Sequence, residues 1–342
     1  MSSLLKIGVI GLGRMGQLYV RTLATQVSGV QLFAVADVGE QARKQVTDEF
    51  GVPHVFEDAH ELMALSELDA VVIATPTSTH HELVIAAASA GKATFCEKPL
   101  ALTLEDTHTA LEAVARAQVA LQIGFMRRFD AGYQKAKALI ADGLIGYPVT
   151  FKSLSRDPFC PPRNYMDPAK SGGLILDMAI HDFDLARWLV GSEVERVTAE
   201  GTTLVCKELE SVGDIDNALI NLRFVNGALG NVEVSRNAFY GYDIRTEVLG
   251  SEGAVMIGVH QHTPVVLLTR SGAQHDVTPY LMERFGDAYR AQMQHFVNCL
   301  YEKQPPSVGG AEALAALEIC IAATRAYQEG RAVRIGEVQE GS

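Results

Sequence analysis

The sequence predicts an α/β protein with two domains: a doubly wound parallel sheet, followed by an α/β domain with a large, mostly antiparallel, open-faced sheet. Short apolar runs alternate with amphipathic helices as far as residue 124, which is typical of a parallel sheet covered by helices. A G-x-G-x-x-G sequence directly follows the first run. Beyond residue 218, apolar and polar residues alternate with no helix between the runs, which is typical of an antiparallel sheet.

Composition limits the classes of function. The chain has 342 residues, of which 48% are hydrophobic, enough for two hydrophobic cores. It carries 41 acidic against 29 basic residues, a formal net charge of −12, which repels nucleic acid and anionic membrane surfaces. No apolar stretch reaches the roughly 20 residues needed to span a bilayer. We therefore expect a cytoplasmic protein that binds neither nucleic acid nor membranes.

The cysteines are scattered and include no C-x-x-C pair. They are Cys96, Cys160, Cys206, Cys299 and Cys320. This spacing argues against a zinc knuckle or a redox dithiol and fits a reducing compartment.

The first predicted strand, residues 6–10, leads into the glycine motif at the start of a helix. Gly11 permits a tight turn, Gly13 lets the backbone approach a pyrophosphate, and Gly16 lets the helix pack closely on the strand. The helix N-terminus and its dipole favour a bound anion. Strand, turn, helix and second strand together predict a dinucleotide-binding Rossmann domain over residues 1–124.

The second predicted strand, residues 30–36, ends on Asp37. A carboxylate here can accept hydrogen bonds from the ribose hydroxyls of NAD but would repel the 2′-phosphate of NADP. Val38 offers no compensating cation, so the sequence favours NAD. A basic residue folding towards the acid would weaken this preference, and the candidates are Arg14, Arg43 and Lys44.

Two further buried strands, residues 70–74 and 93–96, end in polar segments. The loop after the first of them leads to His80 and His81, a pair more typical of a solvated helix cap than of a ligand contact. The candidate cofactor contacts are Gly11, Gly13, Arg14, Met15, Gly16, Asp37, Val38, Thr75, Thr77, His80, Glu97 and Lys98.

The second polar segment is Glu97-Lys98-Pro99. Ligands of an open parallel sheet gather at the carboxyl ends of its strands, so Lys98 would direct a cation into that crevice. Pro99 fixes the backbone direction directly after it. The tripeptide alone is equally typical of a strand-to-helix turn with a solvated lysine. A helix over residues 104–117 and a strand over 120–124 complete the sheet.

Acid–base residues follow in the second half. After a predicted helix at 133–140 and strand at 149–154, residues 156–173 form a long loop that we expect to cover the cleft. Asp177 and His181 come next, at i and i+4 on one helix face. A carboxylate beside an imidazole orients the ring and stabilises the imidazolium, as a general base requires.

Two alternatives exist for this pair. Asp177, His181 and Asp184 are spaced as metal ligands, although Lys98 would compete with a cation. A helix-surface ion pair is the simplest alternative. We expect no metal.

The remaining chain predicts the antiparallel sheet. Strands are expected over residues 218–224, 229–235, 244–249 and 254–257, with Asn226-Gly227 as a hairpin turn. The resulting meander leaves one face uncovered, which a partner subunit often covers. Two helices over residues 289–302 and 311–327 end the chain. We assign residues 125–342 to this second domain, for substrate binding and assembly.

The order of four motifs resembles the Gfo/Idh/MocA family of sugar and cyclitol oxidoreductases, and within it the inositol dehydrogenases. The motifs are the glycine fingerprint, Glu97-Lys98-Pro99, G-F-M-R-R-F at 124–129, and Gly172-Gly173 with Asp177 and His181. The resemblance covers nearly the whole chain. It implies Lys98 at the active site, often with a cis peptide before the proline, an orienting Asp177 and a basic His181.

The resemblance also implies a reaction and an assembly. The reaction is oxidation of a secondary ring hydroxyl of a cyclitol to a ketone, with hydride passing to NAD. The assembly is a homodimer or homotetramer formed through the C-terminal sheet. The candidates for binding substrate are Lys98, Arg127, Asp157, Tyr165, Asp177, His181 and Tyr240.

This chain departs from the family at the substrate side. Residues 155–158 read Ser-Arg-Asp-Pro where inositol dehydrogenases carry a His-Arg-Asn-Pro-like segment, and the loop that follows is longer. The substrate and its stereochemistry therefore stay open, as do the direction of reaction and the strictness of NAD over NADP. The alternatives are an aldose dehydrogenase, an NAD-retaining glycosidase on the same scaffold, and a catalytically silent NAD-sensing regulator.

Overall fold

A computed structural model describes residues 4–163, 166–258 and 261–339 and divides the chain into two compact units. Unit 1 contains Met1–Met126 and Tyr289–Ala315, and unit 2 contains Arg127–Ala288 and Ala316–Ser342. The observed boundary thus lies two residues after the predicted one at 124/125. Residues 289–315 belong to the first unit and not, as expected, to the second.

Unit 1 is built on a six-stranded parallel sheet with the order β3-β2-β1-β4-β5-β6. Its strands are β1 Leu5–Ile10, β2 Val30–Ala36, β3 His54–Phe56, β4 Ala70–Ile73, β5 Ala93–Cys96 and β6 Leu121–Ile123. Its helices are α1 Arg14–Thr25, α2 Glu40–Phe50, α3 Ala59–Met63, α4 His80–Ser89 and α5 Leu104–Ala117. The prediction of a doubly wound Rossmann sheet is confirmed.

The strand order reverses between β1 and β4, and the ends of the central strands lie in one row. Ala74 N donates to Ile10 O at 2.8 Å, and Glu97 N donates to Ile73 O at 3.0 Å. Gly124 N continues the row with a bond to Cys96 O at 2.9 Å. The polar segments after these strands therefore share the edge at which open α/β sheets bind ligands.

The C-terminal helices α9 (Leu281–Glu302) and α10 (Gly310–Glu329) each cross from one unit to the other along the chain. Within unit 1, the ring of Phe296 packs edge-on against Phe95, with centroids 6.1 Å apart. Ile123, the last residue of β6, donates its N–H to Val308 O at 3.0 Å, in the segment between α9 and α10. Such contacts join residues that are far apart in the chain, so the order of elements along the sequence does not reveal them.

Unit 2 holds a seven-stranded sheet with the order β12-β11-β7-β10-β9-β8-β15 and a separate β13-β14 hairpin. The strands are β7 Pro148–Arg156, β8 Val194–Thr202, β9 Asn217–Phe224, β10 Leu229–Ser235, β11 Asp243–Gly250, β12 Ala254–Ile257, β13 Gln261–Thr269, β14 Gly272–Val277 and β15 Val333–Arg334. The helices are α6 Ala131–Ala141, α7 Pro168–Ser171, a π-helix at Ile175–Ala179, α8 Ile180–Val190 and α11 Ile335–Gln339.

The expected meander is wrong in one respect. Strand β7 lies between β10 and β11 and runs parallel to β10, with Arg156 opposite Ser235. The meander assumed that sequence neighbours pair, whereas β7 comes from an earlier part of the chain and completes the backbone hydrogen bonds of both strands.

One face of this sheet is buried and the other is exposed, as the alternation predicted. On β9, Ile220 and Leu222 are buried, whereas Leu219 is 51% exposed. Leu229 on β10 is likewise 50% exposed. Among residues 4–163, 166–258 and 261–339, no helix is long and apolar enough to cross a membrane.

Candidate active site

The glycine motif has the geometry of a dinucleotide loop. Gly11 adopts φ +87°, which favours glycine. A Cβ on Gly16 would lie 1.7 Å from Gly11 O, so helix α1 can pack this closely only with glycine there. Gly13 is the N-cap of α1, and a Cβ on it would meet nothing within 4 Å. This open cradle at the N-terminus of α1 fits a pyrophosphate.

Asp37 is fixed at the end of β2 by two backbone donors. Its carboxylate accepts from Leu12 N at 2.6 Å and from Gly39 N at 2.7 Å. Arg43 donates to the backbone carbonyl of Asp37 at 2.5 Å, not to the carboxylate. Lys44 bonds to Asp48. The carboxylate thus keeps lone pairs for ribose hydroxyls, which fits NAD.

His80 corrects one prediction. It is 1% exposed and is therefore not a solvated cap. Its Nδ1 lies 2.7 Å from Pro99 O and its Nε2 lies 2.9 Å from Thr75 O, and burial lowers the pKa of the ring. A helix-start pattern could not show that the ring points inward. His80 ties the loop after β4 to the segment after β5, and direct contact with cofactor stays a prediction.

Glu97 and Lys98 occupy a constrained turn. Glu97 is buried, its carboxylate accepts from the Tyr19 hydroxyl and from Lys98 N at 3.0 Å, and burial raises its pKa. A Cβ on Gly124 would lie 2.9 Å from this carboxylate, so two of the sequence motifs meet here. The Lys98–Pro99 peptide is cis, as the resemblance implied.

The partners of Glu97 were missed from sequence. Tyr19 lies in the middle of α1, and its hydroxyl also accepts from Gln292 Nε2 at 2.8 Å. The packing that makes this triad joins residues 78 and 273 positions apart. No local pattern signals it.

Asp177 and His181 lie on consecutive helical segments of unit 2. The predicted single α-helix is instead a π-helix carrying Asp177 and then α8, with His181 in its first turn. Single π-turns are rare and are frequent at functional sites. His181 is 8% exposed. Both candidate residues therefore lie within helical segments, and their role as a general-base pair stays a prediction.

The structure adds Arg236 to this pair. Arg236 Nη2 donates to Asp177 Oδ2 at 3.0 Å from the residue that follows β10. The guanidinium is buried, with 3% exposure. The sequence signal for this residue is a charged side chain directly after an alternating strand.

Two arginines of the G-F-M-R-R-F motif bind the acids of α8. Arg127 Nη1 donates to Asp182 Oδ1 at 2.9 Å, and Arg128 grips Asp184 through two bonds of 2.6 and 2.8 Å. Asp177 and Asp184 therefore each have a guanidinium partner, which disfavours the metal-site alternative. No cluster of three or more potential ligands that could hold a metal occurs in the described part of the chain.

The predicted substrate-binding residues have different surroundings. Tyr240 is 49% exposed, and its hydroxyl accepts from Arg156 and donates to Asp243 at 2.7 Å. Asp157 follows β7, where its N–H bonds to Ser235 O. Arg127 is buried and bonded to Asp182, and its contact with substrate stays a prediction. Tyr165 lies outside the described residues.

A disulfide joins two loops of unit 2. Cys160 and Cys206 are bonded, with Cα atoms 5.7 Å apart, across 46 positions of sequence. This bond was not predicted from the sequence, because spacing along the chain does not show which loops meet in space. Asp216 holds the second loop by accepting from Val205 N at 2.6 Å and from Cys206 N at 2.7 Å.

A Rossmann sheet with an open glycine cradle and a strand-end acid, followed by a unit carrying a carboxylate–histidine pair, defines an NAD-dependent oxidoreductase. Residues 5–125 match the family model described as oxidoreductase family, NAD-binding Rossmann fold. Residues 137–335 match its C-terminal alpha/beta domain. The chain belongs to the Gfo/Idh/MocA family of oxidoreductases.

Within this family, the chain is similar to inositol dehydrogenases in sequence and in structure. It is 41% identical to scyllo-inositol 2-dehydrogenase (NAD(+)) of Bacillus subtilis over 96% of each chain. It is 41% identical to myo-inositol 2-dehydrogenase of Thermotoga maritima, covering 98% of this chain and 99% of that one. The crystal structure of scyllo-inositol dehydrogenase from Lactobacillus casei with bound NAD(H) and scyllo-inositol has a TM-score of 0.93 at 30% identity, covering 98% of this chain and all of that one.

Proposed function

We propose that this protein oxidises one secondary ring hydroxyl of a cyclitol to a ketone, using NAD. The observation that carries the proposal is the placement of Asp177 and His181 four residues apart on consecutive helical segments, in a chain that has an NAD-binding unit and 41% identity to two inositol 2-dehydrogenases. The cofactor residues assigned from sequence, from Gly11 to Lys98, are part of the proposal.

His181 accepts the hydroxyl proton of the substrate. Asp177 orients the imidazole and stabilises it once it is protonated. Lys98 donates a hydrogen bond to the same oxygen as negative charge develops on it. NAD supplies the hydride acceptor, so the carbon loses a hydride and the oxygen a proton. Function therefore requires Lys98 and His181 to act on one hydroxyl group.

Hydroxyl recognition is assigned to polar groups at the strand ends of unit 2. Asp157 directly follows β7, and Tyr240 lies in the segment between β10 and β11. Arg156, the last residue of β7, donates hydrogen bonds to Tyr240 and Glu233. Groups of this kind exchange hydrogen bonds with a polyol. Asp157 takes a position where inositol dehydrogenases carry asparagine, so the choice among isomers is expected to differ from theirs.

A substrate panel tests the proposal. The purified full-length protein is incubated with NAD or NADP and with scyllo-inositol, myo-inositol or aldoses, while NADH absorbance and the mass of the product are followed. We expect kcat/KM to be highest for an inositol with NAD, and the product to be two hydrogens lighter. Turnover of aldoses alone would replace the cyclitol assignment. Aryl glycosides are included in the panel, and release of their aglycone without net NADH formation would indicate the NAD-retaining glycosidase. No activity with any compound would indicate the NAD-sensing regulator.

We also propose that a second copy of this chain covers the open sheet face. Large apolar side chains stand on it, among them Leu219, Leu229 and Leu249, each at least 43% exposed. Faces of this kind mark association surfaces. Light scattering of the purified protein should give a dimer or tetramer mass, and Leu219→Glu should lower it. A monomeric wild-type protein would contradict this assignment.

A further inference from the structure

Arg236 is buried among three carboxylates at the strand ends of unit 2. Its Nη2 lies 3.0 Å from Asp177 Oδ2, and its charge also interacts with Asp157 and Asp214. Its Nε has no acceptor among the residues that the structure describes. The burial of this cation therefore depends on the carboxylates around it.

The backbone fixes Arg236 in place. Arg236 N donates to Asp216 O at 2.9 Å, and the preceding residue, Ser235, pairs in register with Arg156 on β7. Asp157 N in turn donates to Ser235 O at 2.9 Å. Arg236 and Asp157 thus leave two adjacent parallel strands at the same level, so their charges are held near each other by the sheet.

This cluster contains three carboxylates and one guanidinium. Burial alone lowers the pKa of Arg236, but Asp177, Asp157 and Asp214 outweigh it, and the pKa lies above its ordinary value. Burial raises the pKa of Asp214, although Leu174 N donates to its carboxylate at 3.0 Å. Arg236 therefore stays charged at every pH of interest.

We propose that Arg236 is a positioning residue that sets the protonation of His181 by pairing with the carboxylate of Asp177, which lies four residues before His181. This inference rests on the proposed function, in which His181 must be neutral to accept a proton. A lone carboxylate beside an imidazole strongly favours the protonated ring. A carboxylate already paired with a guanidinium favours it less, so His181 stays available as a base near neutral pH.

The charged groups of this region come from several elements. Four of them surround Arg236 or include it: Asp177 from the π-helix, Asp157 from the loop after β7, Asp214 from the loop before β9, and Arg236 itself after β10. Helix α8 adds two ion pairs, in which Asp182 binds Arg127 and Asp184 binds Arg128. The first four groups should control His181. The two pairs of α8 should not, because each is internally balanced.

The test compares Arg236→Met with Arg284→Met, which removes another arginine of unit 2 that is paired with one aspartate, Asp130, at 2.8 Å. We measure the rise of kcat/KM with pH for oxidation of the best inositol. In Arg236→Met the midpoint of the rise should move up by about one pH unit, with about tenfold lower activity below it. Arg236→Lys keeps the charge and should restore most of the profile. Arg284→Met should leave the midpoint unchanged.

A second readout does not need turnover. The imidazole of His181 is titrated by NMR in histidine-labelled protein and identified by its loss in His181→Gln. We expect the titration to move up in Arg236→Met and down in Asp157→Asn, which leaves Arg236 with one competing carboxylate fewer. If Arg236→Met does not fold, Asp157→Asn decides alone. A titration that is unmoved or moves the other way overturns the inference. Wild-type protein inactive on every polyol, with these shifts present, would overturn the proposed function instead.

Discussion

The two units present their functional groups by different means. In unit 1, backbone geometry makes the site: a glycine turn at φ +87°, the N-terminus of α1, and carbonyls that receive His80. In unit 2, charged side chains make it, through ion pairs such as Arg236 with Asp177 and Arg128 with Asp184. A backbone site leaves a short sequence signature, whereas an ion-pair site joins distant residues and leaves none.

The largest effect is expected from the base in unit 2. His181→Ala should lower kcat by about 10²–10⁴-fold, because the hydroxyl proton loses its acceptor. The NAD-dependent oxidation rate of the best inositol gives the value, with unfolding temperature as a check of folding. His275→Ala, in an exposed hairpin, serves as the control and should keep wild-type turnover. Turnover of His181→Ala within a few-fold of wild type would remove the base assignment.

Two glycines of unit 1 sharpen the contrast. Gly16→Ala places a methyl group against Gly11 O and should cost roughly 3 kcal/mol of folding free energy. Gly13→Ala meets no protein atom within 4 Å and keeps an ordinary φ of −68°, so folding should be unchanged while NAD affinity falls about tenfold. Denaturant unfolding and NAD titration separate the two outcomes. Equal effects of both variants on stability would show that the loop is not arranged as described.

The disulfide of unit 2 is a covalent long-range link. Cys160→Ser should lower the free energy of unfolding by about 2–4 kcal/mol. Dithiothreitol should destabilise the wild type to the same level and leave Cys160→Ser unaffected. The same two cysteines also test the location of the protein. Disulfides are rare in the cytosol, so we expect acid-trapped thiol labelling of intact cells to find Cys160 and Cys206 at least partly reduced, and a fully oxidised pair would contradict the cytoplasmic location predicted from composition. Labelling of five thiols in denatured, air-exposed pure protein, where the bond leaves only Cys96, Cys299 and Cys320 free, would refute the bond.

The smallest effect concerns His80. Burial lowers the pKa of this ring, so between its folded value and the ordinary value of 6.5 the unfolded chain binds a proton that the folded unit does not. Stability therefore rises with pH across that window and is lost as the pH falls through it. The unfolding temperature of wild type should drop more on acidification than that of His80→Gln. Burial also lowers the pKa of His295 on α9, but that residue is present in both proteins and contributes equally. The same acid sensitivity in both proteins would contradict a buried neutral His80.

The sequence predicted those features that depend on residues close together in the chain. The fingerprint, Asp37, the Glu97-Lys98-Pro99 turn and five of the strands of unit 1 were predicted within a residue or two. Strands β9 to β12 were also predicted, whereas β8, β13, β14 and β15 were not. The insertion of β7 between β10 and β11 was not predicted either, because the pairing of distant strands is set by packing. The ion pair of Arg236 and the Cys160–Cys206 bond escaped prediction for the same reason.

The account depends on one claim, that Lys98 of unit 1 and His181 of unit 2 serve the same hydroxyl group. A double-mutant cycle tests it: kcat/KM for the best inositol is measured for wild type, Lys98→Met, His181→Ala and the double variant. If both groups act on one transition state, the double variant should lose about as much activity as the more damaged single variant. Losses that multiply would mean that the two residues act independently, and would contradict the account.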